Sequence, residues 1–470
     1  MHTCWTQGPS IGLSEMLDAR EQRVKIQQEL LKEHPACVVS FTLNIAGPVK
    51  VTPFTKWLYT LGIRLIQQGI SEKNGQILKK TEKKTDTGWE GFFALSLEAK
   101  AIKTYLICQE ESHPLGRLFD FDVLCPDGTK VSRQELGFPE RTCLICGNPA
   151  FLCGRSRTHS ARELQQKTLE MMNTFYQSRM SVHIGNLMQK ALLYEVNTTL
   201  KPGLVDRIHN GSHQDMCRST FVTSAYALTP YFISCALVGL SFDGSLEELP
   251  TLFQQLRVLG KQAEITMLNA TKGINTHKGI IFSGGIFCAA AGYANSAFQV
   301  DLKSPALPKI LSSICQSMVS GILEDYKNIT PDTARTHGEK LYAYYGITGI
   351  RGEAHEGFPH VLFSGYPGFQ RAYKATCSLT KAGLTTLLYY IGNAEDTNLI
   401  IRSDYETANR IQKSLSAFLN HSDYEEQLSI LPALDNYFVS QNISPGGSAD
   451  MLALTYFLYF LSQKDCWFES

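Results

Sequence analysis

Hydrophobic and polar positions follow two patterns along the chain, and the pattern changes near residue 178. Before that point, segments with helical spacing alternate with short segments in which apolar residues dominate, as in buried strands. The predicted elements are, in chain order, a helix from Leu13 to Glu33 ended by Pro35, a strand in CVVSFTL, a helix in FTKWLYTLGIRLIQQG, strands in GQILKK and GFFALSLEA, a helix in KAIKTYLICQEE and a strand in LFDFDVLC. From the first strand onward, this order predicts an α+β fold of the ferredoxin-like type, a split βαβ layer.

The pattern after residue 178 is helical almost throughout, for example in GNLMQKALLYEV, LEELPTLFQQLRVLGKQAEITML and ETANRIQKSLSAFL. An all-α helical domain is therefore expected to follow the first domain. The segment between them, SARELQQKTLEMMNTFYQSRM, also has helical spacing, so we expect a helical connection and not a flexible linker. The sequence thus predicts a multidomain protein with domains at 1–178 and 179–470.

Length and composition narrow the class of protein. A chain of 470 residues is too long for one hydrophobic core, and its 44 basic and 44 acidic residues favour neither nucleic acid nor an anionic membrane as a partner. The N-terminus lacks the basic start and apolar centre of a signal peptide, and the longest apolar stretches, near YFISCALVGL and MLALTYFLYFL, fall short of the ~20 residues of a membrane span. The 13 cysteines are an odd number, which is typical of reduced thiols. We therefore expect a cytoplasmic protein.

Two carboxylates interrupt the apolar strand LFDFDVLC. Residues two apart in a strand project to one face, so Asp120 and Asp122 can converge on one divalent cation, for which Mg²⁺ is the natural candidate. Arg117, just upstream, can hold phosphate oxygens in a forked grip. This combination indicates phosphoryl or nucleotidyl transfer. The alternative is an edge strand whose two acids face solvent.

A second candidate site lies in RTCLICGNPAFLCGRSRTHS. This segment is called here the cysteine block. Four of its residues offer the ligands of a closed tetrahedral Zn²⁺ site: Cys143, Cys146, Cys153 and His159. Their spacing differs from that of the common zinc fingers, and cysteine is also an ordinary core residue, so a role without metal stays open. The interleaved arginines fit a phosphate-binding edge or a solvated basic face: Arg141, Arg155 and Arg157.

Five segments of the helical domain place polar or charged residues beside a helix end: EVNTTLKPGLVDRIHNGSHQDM, NTHKGIIFSGG, GIRGEAHEGFPHV, DTNLIIRSD and SPGGSADMLALT. Glycines let backbone amides approach a phosphate, and a helix N-terminus adds a favourable dipole. One such loop is usually a plain helix cap, but five with mixed charges indicate a polyphosphate ligand bound with metal. The candidate nucleotide- or phosphate-binding residues are Lys201, Asp206, Arg207, His213, His277, Lys278, Arg351, Ser444, Gly446, Gly447 and Asp450, and the candidate catalytic acids of this domain are Asp215, Glu353 and Glu356.

These motifs resemble two enzyme families. HPLGRLFDFDVLCPDG and the cysteine block resemble the apo-citrate lyase phosphoribosyl-dephospho-CoA transferases, which are holo-acyl-carrier-protein synthases. KPGLVDRIHNGSHQDM, NTHKGIIFSGG, GIRGEAHEGFP and SPGGSADMLALT resemble the triphosphoribosyl-dephospho-CoA synthases. The chain as a whole resembles the fused, bifunctional form of both. One departure weakens a phosphate role for the DTNL loop, because Ser403 follows Arg402 where the family has glycine.

The resemblance implies a two-step assembly of the citrate lyase prosthetic group. The C-terminal domain is expected to join ATP to 3′-dephospho-CoA with release of adenine. The N-terminal domain is expected to transfer the product to a serine of the citrate lyase acyl carrier subunit with release of pyrophosphate, using Asp120, Asp122 and Arg117 around the cation. Displacement of adenine resembles glycoside cleavage and needs a base and an acid, for which carboxylates and histidines of the second domain are candidates.

Two alternatives remain from the residues alone. The helical domain could be a nucleoside hydrolase of ADP-ribose type, which also uses carboxylates on helices together with Mg²⁺. The first domain could be a zinc-containing module that only binds the carrier protein.

Overall fold

The computed structural model describes residues 6–298 and 300–463. The chain divides into two compact units between Tyr176 and Gln177, called here unit 1 and unit 2. The outer ends of the two predicted domains, 1–5 and 464–470, lie outside the described residues, as does Gln299. The predicted helix around the division point is confirmed, since Ala161–Asn197 forms one helix of 37 residues.

Unit 1 combines helices with one small sheet. The predicted helix Leu13–Glu33 and strand Cys37–Leu43 are confirmed. Two short 3-10 turns lie at Gly116–Leu118 and Gln134–Leu136. The helices and strands of its described part are α1 (Leu13–Glu33), β1 (Cys37–Leu43), α2 (Pro53–Glu72), β2 (Ile77–Thr85), β3 (Gly88–Leu95), α3 (Ala99–Ser112), β4 (Phe119–Leu124), α4 (Ala150–Ser156) and α5 (Ala161–Asn197).

The four strands form one sheet in the order β2-β3-β1-β4, and every neighbouring pair is antiparallel. β4 therefore lies at an edge of the sheet. Burial alternates along β4 as the sequence predicts, because Phe119 and Phe121 are buried while Asp120 and Asp122 are half-buried on the opposite face.

Aromatic rings fill the face of the sheet that α2 and α3 cover. Phe41 of β1 stacks on Tyr59 of α2 and on Phe121 of β4, with ring centroids 5.4 and 4.6 Å apart. On the other face, Leu30 of α1 belongs to a buried apolar cluster that includes Leu124 of β4. Because side chains alternate along a strand, the two aspartates of β4 lie on this second face, on the side of α1.

Every regular secondary-structure element in the described residues of unit 2 is a helix, as predicted. Short 3-10 turns lie at Leu246–Glu248 and Ile322–Tyr326, and a π-helical turn lies at His360–Gly365. The α-helices that follow α5 are α6 (Arg218–Ser241), α7 (Leu249–Ala270), α8 (Lys278–Ala297), α9 (Leu307–Met318), α10 (His337–Tyr345), α11 (Gly349–His355), α12 (Tyr366–Thr376), α13 (Leu379–Asn393), α14 (Thr397–Arg402), α15 (Tyr405–Leu419), α16 (Tyr424–Ser429), α17 (Leu431–Ser440) and α18 (Gly446–Ser462).

Helix α8 forms the centre of unit 2, and every residue from Ser283 to Ala294 is buried. It packs closely against α6 through glycines on both helices. Gly239 lies against the backbone carbonyl of Ala289, and Gly292 lies against that of Ala236, so neither position has room for a Cβ atom. This close packing fixes the N-terminus of α8, which opens onto the cavity described below.

Two helices correct the expectation that no apolar segment reaches the length of a membrane span. Both α6, with 24 residues, and α8, with 20, are long and apolar enough to cross a membrane. In α8, however, 78% of the most apolar window is buried inside the protein. A helix that is apolar on all sides is expected at the centre of a large helical domain, so the core of unit 2 accounts for its composition.

Candidate functional site

Unit 2 contains a polar cavity of about 390 Å³. Its walls come from the end of α5, the loop between α5 and α6, the N-terminus of α8, helix α14 and the first turns of α18. Four of the five segments singled out in the sequence meet there. The predicted site residues that line the cavity are Lys201, His213, His277, Lys278, Ser444, Gly446 and Asp450.

A buried carboxylate, Asp206, folds the loop between α5 and α6. Its Oδ1 accepts hydrogen bonds from the backbone N–H groups of Ile208 (2.7 Å) and His209 (3.2 Å). Its Oδ2 accepts the backbone N–H of Lys201 at 3.1 Å. Asp206 does not line the cavity. It stabilises the backbone that presents Lys201 to the cavity.

A buried ion pair between Glu195 and Lys201 lies in the cavity wall. The Lys201 side chain is 1% exposed and that of Glu195 is 7% exposed. Burial raises the pKa of Glu195, and the Lys201 ammonium opposes this rise. An ammonium has three N–H donors, so Lys201 retains donors for the oxygens of a ligand. Glu195 was not among the predicted site residues, because it lies in the helical pattern at the end of α5.

Asp450 of α18 is the second carboxylate of the cavity. No hydrogen bond or ion pair joins it to another residue in 6–298 or 300–463. Desolvation raises the pKa of Asp450 well above its usual range, and the carboxylates of Glu195 and Asp396 raise it further. Gly279 of α8 lies directly against Oδ2 of Asp450, where a Cβ atom would not fit. A carboxylate with a raised pKa at a cavity is suited to accept a proton from a substrate hydroxyl.

Two histidines of the cavity are held neutral. Burial, and secondarily the charge of Lys201, lowers the pKa of His277 to about 3. Its Nδ1 contacts the Ser224 hydroxyl at 2.7 Å, while its buried Nε2 has no hydrogen-bond partner in the described part of the chain. Burial and the Arg402 guanidinium lower the pKa of His213 to about 4. The neutral His277 ring can therefore exchange a hydrogen bond with a ligand through Nε2 without adding charge.

The tautomer of His213 follows from its neighbours. Arg402 Nη2 lies 3.2 Å from Nδ1 of His213 and can only donate, so Nδ1 accepts. The proton of the neutral ring is therefore on Nε2, which donates to the Ser444 hydroxyl oxygen at 2.9 Å. The Ser444 hydroxyl hydrogen then remains free to turn toward a ligand.

The DTNLIIRSD segment contributes more than the sequence indicated. Asp396 caps α14 by accepting the backbone N–H of Asn398 at 3.0 Å, and it also accepts the N–H of Ser448 in α18 at 2.7 Å. Arg402 at the end of α14 lines the cavity, although Ser403 follows it. No carboxylate pairs with Arg402 among the described residues, because its hydrogen bonds go to neutral acceptors. Its charge is available to an anionic ligand.

The other candidate residues of unit 2 lie outside the lining of this cavity. Glu353 is buried in α11, where its carboxylate accepts Nδ1–H of His360 at 2.7 Å and the backbone N–H of the same residue at 2.9 Å. Arg351 lines a separate cavity of about 230 Å³. Of the remaining four candidates, Arg207, Asp215 and Glu356 have exposed side chains. The backbone N–H of the fourth, Gly447, donates to Asp396.

In unit 1, the two aspartates of β4 stand beside basic side chains. Asp122 pairs with Lys130 at 2.5 Å, and Asp120 lies 3.5 Å from Arg141. The Asp120 side chain is 37% exposed and that of Asp122 is 25% exposed, so both carboxylates can be reached from solvent. Ion pairs in the protein thus account for the two acids of the strand.

Further cations surround this strand. Lys103 of α3 is buried and donates to the carbonyl of Phe121 at 2.6 Å, and burial lowers the pKa of Lys103. Arg141 donates to the carbonyl of Phe119 at 3.1 Å. Arg117 donates to the carbonyl of Thr142. The edge of β4 is therefore covered by basic groups, which also protect an edge strand from pairing with other chains.

The structure brings the four predicted zinc ligands of the cysteine block together. The ligand atoms of Cys143, Cys146, Cys153 and His159 all lie within 4.8 Å of one another. Arg155 and Arg157, which are interleaved with them, are exposed.

Two family models match separate parts of the chain. A family model described as ATP:dephospho-CoA triphosphoribosyl transferase matches residues 181–468, and one described as apo-citrate lyase phosphoribosyl-dephospho-CoA transferase matches residues 11–175. "Protein CitXG" of Leuconostoc mesenteroides subsp. cremoris is 37% identical over 463 residues, covering 96% of this chain and 97% of the relative.

Two further relatives are similar to this chain over different lengths. "Protein CitXG" of Haemophilus influenzae is 33% identical over 468 residues and covers 97% of each chain. The 2-(5''-triphosphoribosyl)-3'-dephosphocoenzyme-A synthase of Haemophilus ducreyi is 36% identical over 340 residues, covering 68% of this chain and 100% of the relative. The chain therefore belongs to the family of fused CitXG proteins, multifunctional transferases of citrate lyase prosthetic-group assembly.

Proposed function

We propose that the C-terminal domain, residues 179–470, joins ATP to 3′-dephospho-CoA and releases adenine, forming 2′-(5″-triphosphoribosyl)-3′-dephospho-CoA. The observation that carries this proposal is the cavity of unit 2, where Arg402 has no carboxylate partner and Asp450 has no partner at all within the described ranges. A triphosphate needs cations, and the attacking hydroxyl needs a base. The cavity offers both in one place.

The roles follow from the positions of the charges. Arg402, Lys201 and Lys278 would bind the triphosphate oxygens. Asp450 would accept the proton of the attacking 2′-hydroxyl, whose oxygen bonds to the ribose carbon of ATP as the bond from that carbon to adenine breaks. Adenine would leave with the bonding electron pair and take up one proton from water, so that it is released as the neutral base. The neutral imidazole of His277 would donate or accept a hydrogen bond through its unpartnered Nε2. Glu353 and Asp215, predicted as catalytic acids, have no place in this scheme because neither lines the cavity.

For the N-terminal domain, residues 1–178, we propose transfer of this product to a serine of the citrate lyase acyl carrier subunit with release of pyrophosphate. Asp120 and Asp122 supply oxygen ligands on one face of β4 and are accessible, which suits a hydrated Mg²⁺. The bound ion would neutralise charge on the departing pyrophosphate. Lys130 and Arg141 would then turn from the carboxylates to phosphate oxygens.

The strand order and the antiparallel pairing of the sheet support a ferredoxin-like, split βαβ topology for this domain. We expect ATP, 3′-dephospho-CoA and the acyl carrier subunit as the partners, and the cytoplasm as the location. The hydrolase and the carrier-binding module are not favoured, because both family matches are transferases.

Mass spectrometry of the full chain with ATP, 3′-dephospho-CoA, Mg²⁺ and apo acyl carrier subunit tests the proposal. We expect free adenine, pyrophosphate and a carrier subunit that gains the mass of the phosphoribosyl-dephospho-CoA group. Omitting 3′-dephospho-CoA should abolish adenine release. Adenine release that continues without it would indicate a hydrolase and refute the first step.

Matched variants separate the two steps. Asp450→Asn should stop adenine release but leave carrier labelling from preformed triphosphoribosyl-dephospho-CoA intact. Glu356→Gln, at an exposed acid outside the cavity, should leave both steps unchanged. Normal adenine release by Asp450→Asn would remove this carboxylate from the mechanism.

A further inference from the structure

The cysteine block has the spacing of a metal site and not that of a disulfide. The Sγ atoms of Cys146 and Cys153 are 3.5 Å apart, and all four potential ligand atoms lie within 4.8 Å of one another. A disulfide requires sulfur atoms about 2.05 Å apart. Two thiolates at ~2.3 Å from a tetrahedral zinc ion are instead separated by about 3.8 Å.

The backbone builds this cluster from a tight turn and a short helix. The N–H of Cys143 donates to the carbonyl of Asn148 at 2.6 Å, and the N–H of Gly147 donates back to the carbonyl of Cys143 at 3.3 Å. Gly147 has φ +75°, a conformation that favours glycine. Helix α4 then carries Cys153, and His159 follows α4 before α5 begins.

The histidine supplies an independent observation. Nε2 of His159 is buried and has no hydrogen-bond partner in the part of the chain that the structure describes. A buried ring nitrogen without a partner is costly, and a metal ion would satisfy it.

The block also lacks a hydrophobic core of its own. Three of its four large apolar side chains, Ile145, Phe151 and Leu152, are exposed, and the fourth, Leu144, is half-buried. Burial of these residues therefore does not hold the segment folded, whereas a metal ion with four protein ligands can.

We propose that Cys143, Cys146, Cys153 and His159 bind one Zn²⁺ ion in a closed, structural site. Three thiolates and one imidazole match the ligand preference of zinc and leave no position open for substrate. The carbonyl of Arg141 accepts the N–H of Ala150 at 2.8 Å, which ties the block to the residue beside Asp120.

The zinc ion thus affects the transfer step by holding two arginines in position. Folding of the block holds Arg141 against Asp120 and against buried Glu110, which lies 2.5 Å from Arg141. It also holds the carbonyl of Thr142, which accepts a hydrogen bond from Arg117. Arg141 belongs to the site proposed for unit 1, and Arg117 is predicted from the sequence to hold phosphate oxygens there. This consequence therefore rests on the proposed function, whereas zinc binding does not.

Metal analysis of the full-length chain, purified with a reductant and without chelator, tests zinc binding. We expect about one zinc per chain, and less than about 0.2 in Cys146→Ser and in His159→Ala. Cys108→Ser, at an exposed cysteine of α3, is the matched control and should retain the metal. Unchanged zinc content in Cys146→Ser, or wild-type protein that takes up no stoichiometric zinc on reconstitution, would overturn the proposal.

Thiol alkylation covers the case in which the variants do not fold. In wild-type protein, a chelator should make Cys143, Cys146 and Cys153 react at least tenfold faster, while the rate at Cys108 stays constant. Equal rates with and without chelator, or a Cys146–Cys153 disulfide in the reduced preparation, would also refute a zinc site.

Zinc removal should lower carrier labelling and spare adenine release. Stoichiometric zinc whose removal leaves labelling unchanged would refute the positioning of the arginines and leave the binding site standing.

Discussion

Lys201→Met tests whether the buried ion pair with Glu195 organises the cavity of unit 2. Methionine keeps much of the length of the lysine stem but has no charge, so the Glu195 carboxylate is left buried without a cation. Removing one partner of a buried ion pair costs about 3–5 kcal/mol, because the other charge stays desolvated. For a unit of this size, that loss lowers Tm by roughly 6–20 °C.

The double variant Glu195→Gln/Lys201→Met shows whether the loss of stability comes from the unpaired Glu195 carboxylate or from lost packing of the lysine stem. It removes the unpaired carboxylate, so we expect it to be more stable than Lys201→Met by about 2 kcal/mol or more. The pH dependence supplies a second criterion. In Lys201→Met, the pKa of Glu195 in the folded state stands above its unfolded value, because burial raises it and no ammonium opposes the rise.

The folded Lys201→Met protein therefore binds more protons than the unfolded chain between these two pKa values, and its stability falls as pH rises through this window. Thermal unfolding of the full chain should show that Lys201→Met loses less stability, relative to the wild-type protein, at pH 5 than at pH 8. The double variant should lose the same amount at both pH values. A loss below about 0.5 kcal/mol at pH 8, or additive effects in the double variant, would refute this reasoning.

Other substitutions test the two proposed sites. Asp120→Asn and Asp122→Asn should each abolish carrier labelling from preformed triphosphoribosyl-dephospho-CoA at every Mg²⁺ concentration, with adenine release intact; normal labelling by both would exclude them as the cation site. Gly279→Ala should displace the Asp450 carboxylate and slow adenine release more than tenfold, about 1.4 kcal/mol of barrier. Gly338→Ala, at a glycine with space for a Cβ atom, should not slow it, and equal rates for the two variants would argue against a role of Asp450. Arg402→Gln should raise KM for ATP at least tenfold in steady-state assays, and an unchanged KM would exclude a triphosphate contact.

Most elements of unit 1 could be predicted because their sequence patterns are local. The alternation of apolar and polar residues in LFDFDVLC already separates the aromatic face of β4 from its acidic face. Pro35 marks the end of the first helix, and α2 begins with Pro53 after a Thr52 cap. The continuous apolar runs of the sequence do not indicate the length of the apolar helices α6 and α8, because polar residues within these helices interrupt the runs.

The cavity could be predicted only in part, because loop residues follow no period that shows where a side chain points. The segment from Lys201 to Asp215 was identified as a whole, yet Lys201 lines the cavity and Asp215 is exposed. Glu195 was missed because its place at the end of a helix gives no local indication of a lysine partner. The contact between Arg402 and His213 joins residues 189 positions apart, which a single sequence does not reveal.

Because helix α5 spans the division between the two units, the chain has no loop there at which the units could be separated into two fragments. The start of the helix is set by Ser160, whose hydroxyl accepts the N–H of Glu163 at 3.2 Å, whereas the division between the units falls well inside the helix. A fragment ending before α5 would remove Phe175, whose ring lies 5.6 Å from that of Trp57 in unit 1. A fragment starting at Gln177 would begin without a helix cap and expose unpaired backbone N–H groups. Separate expression of the two activities therefore calls for overlapping fragments that both contain this helix.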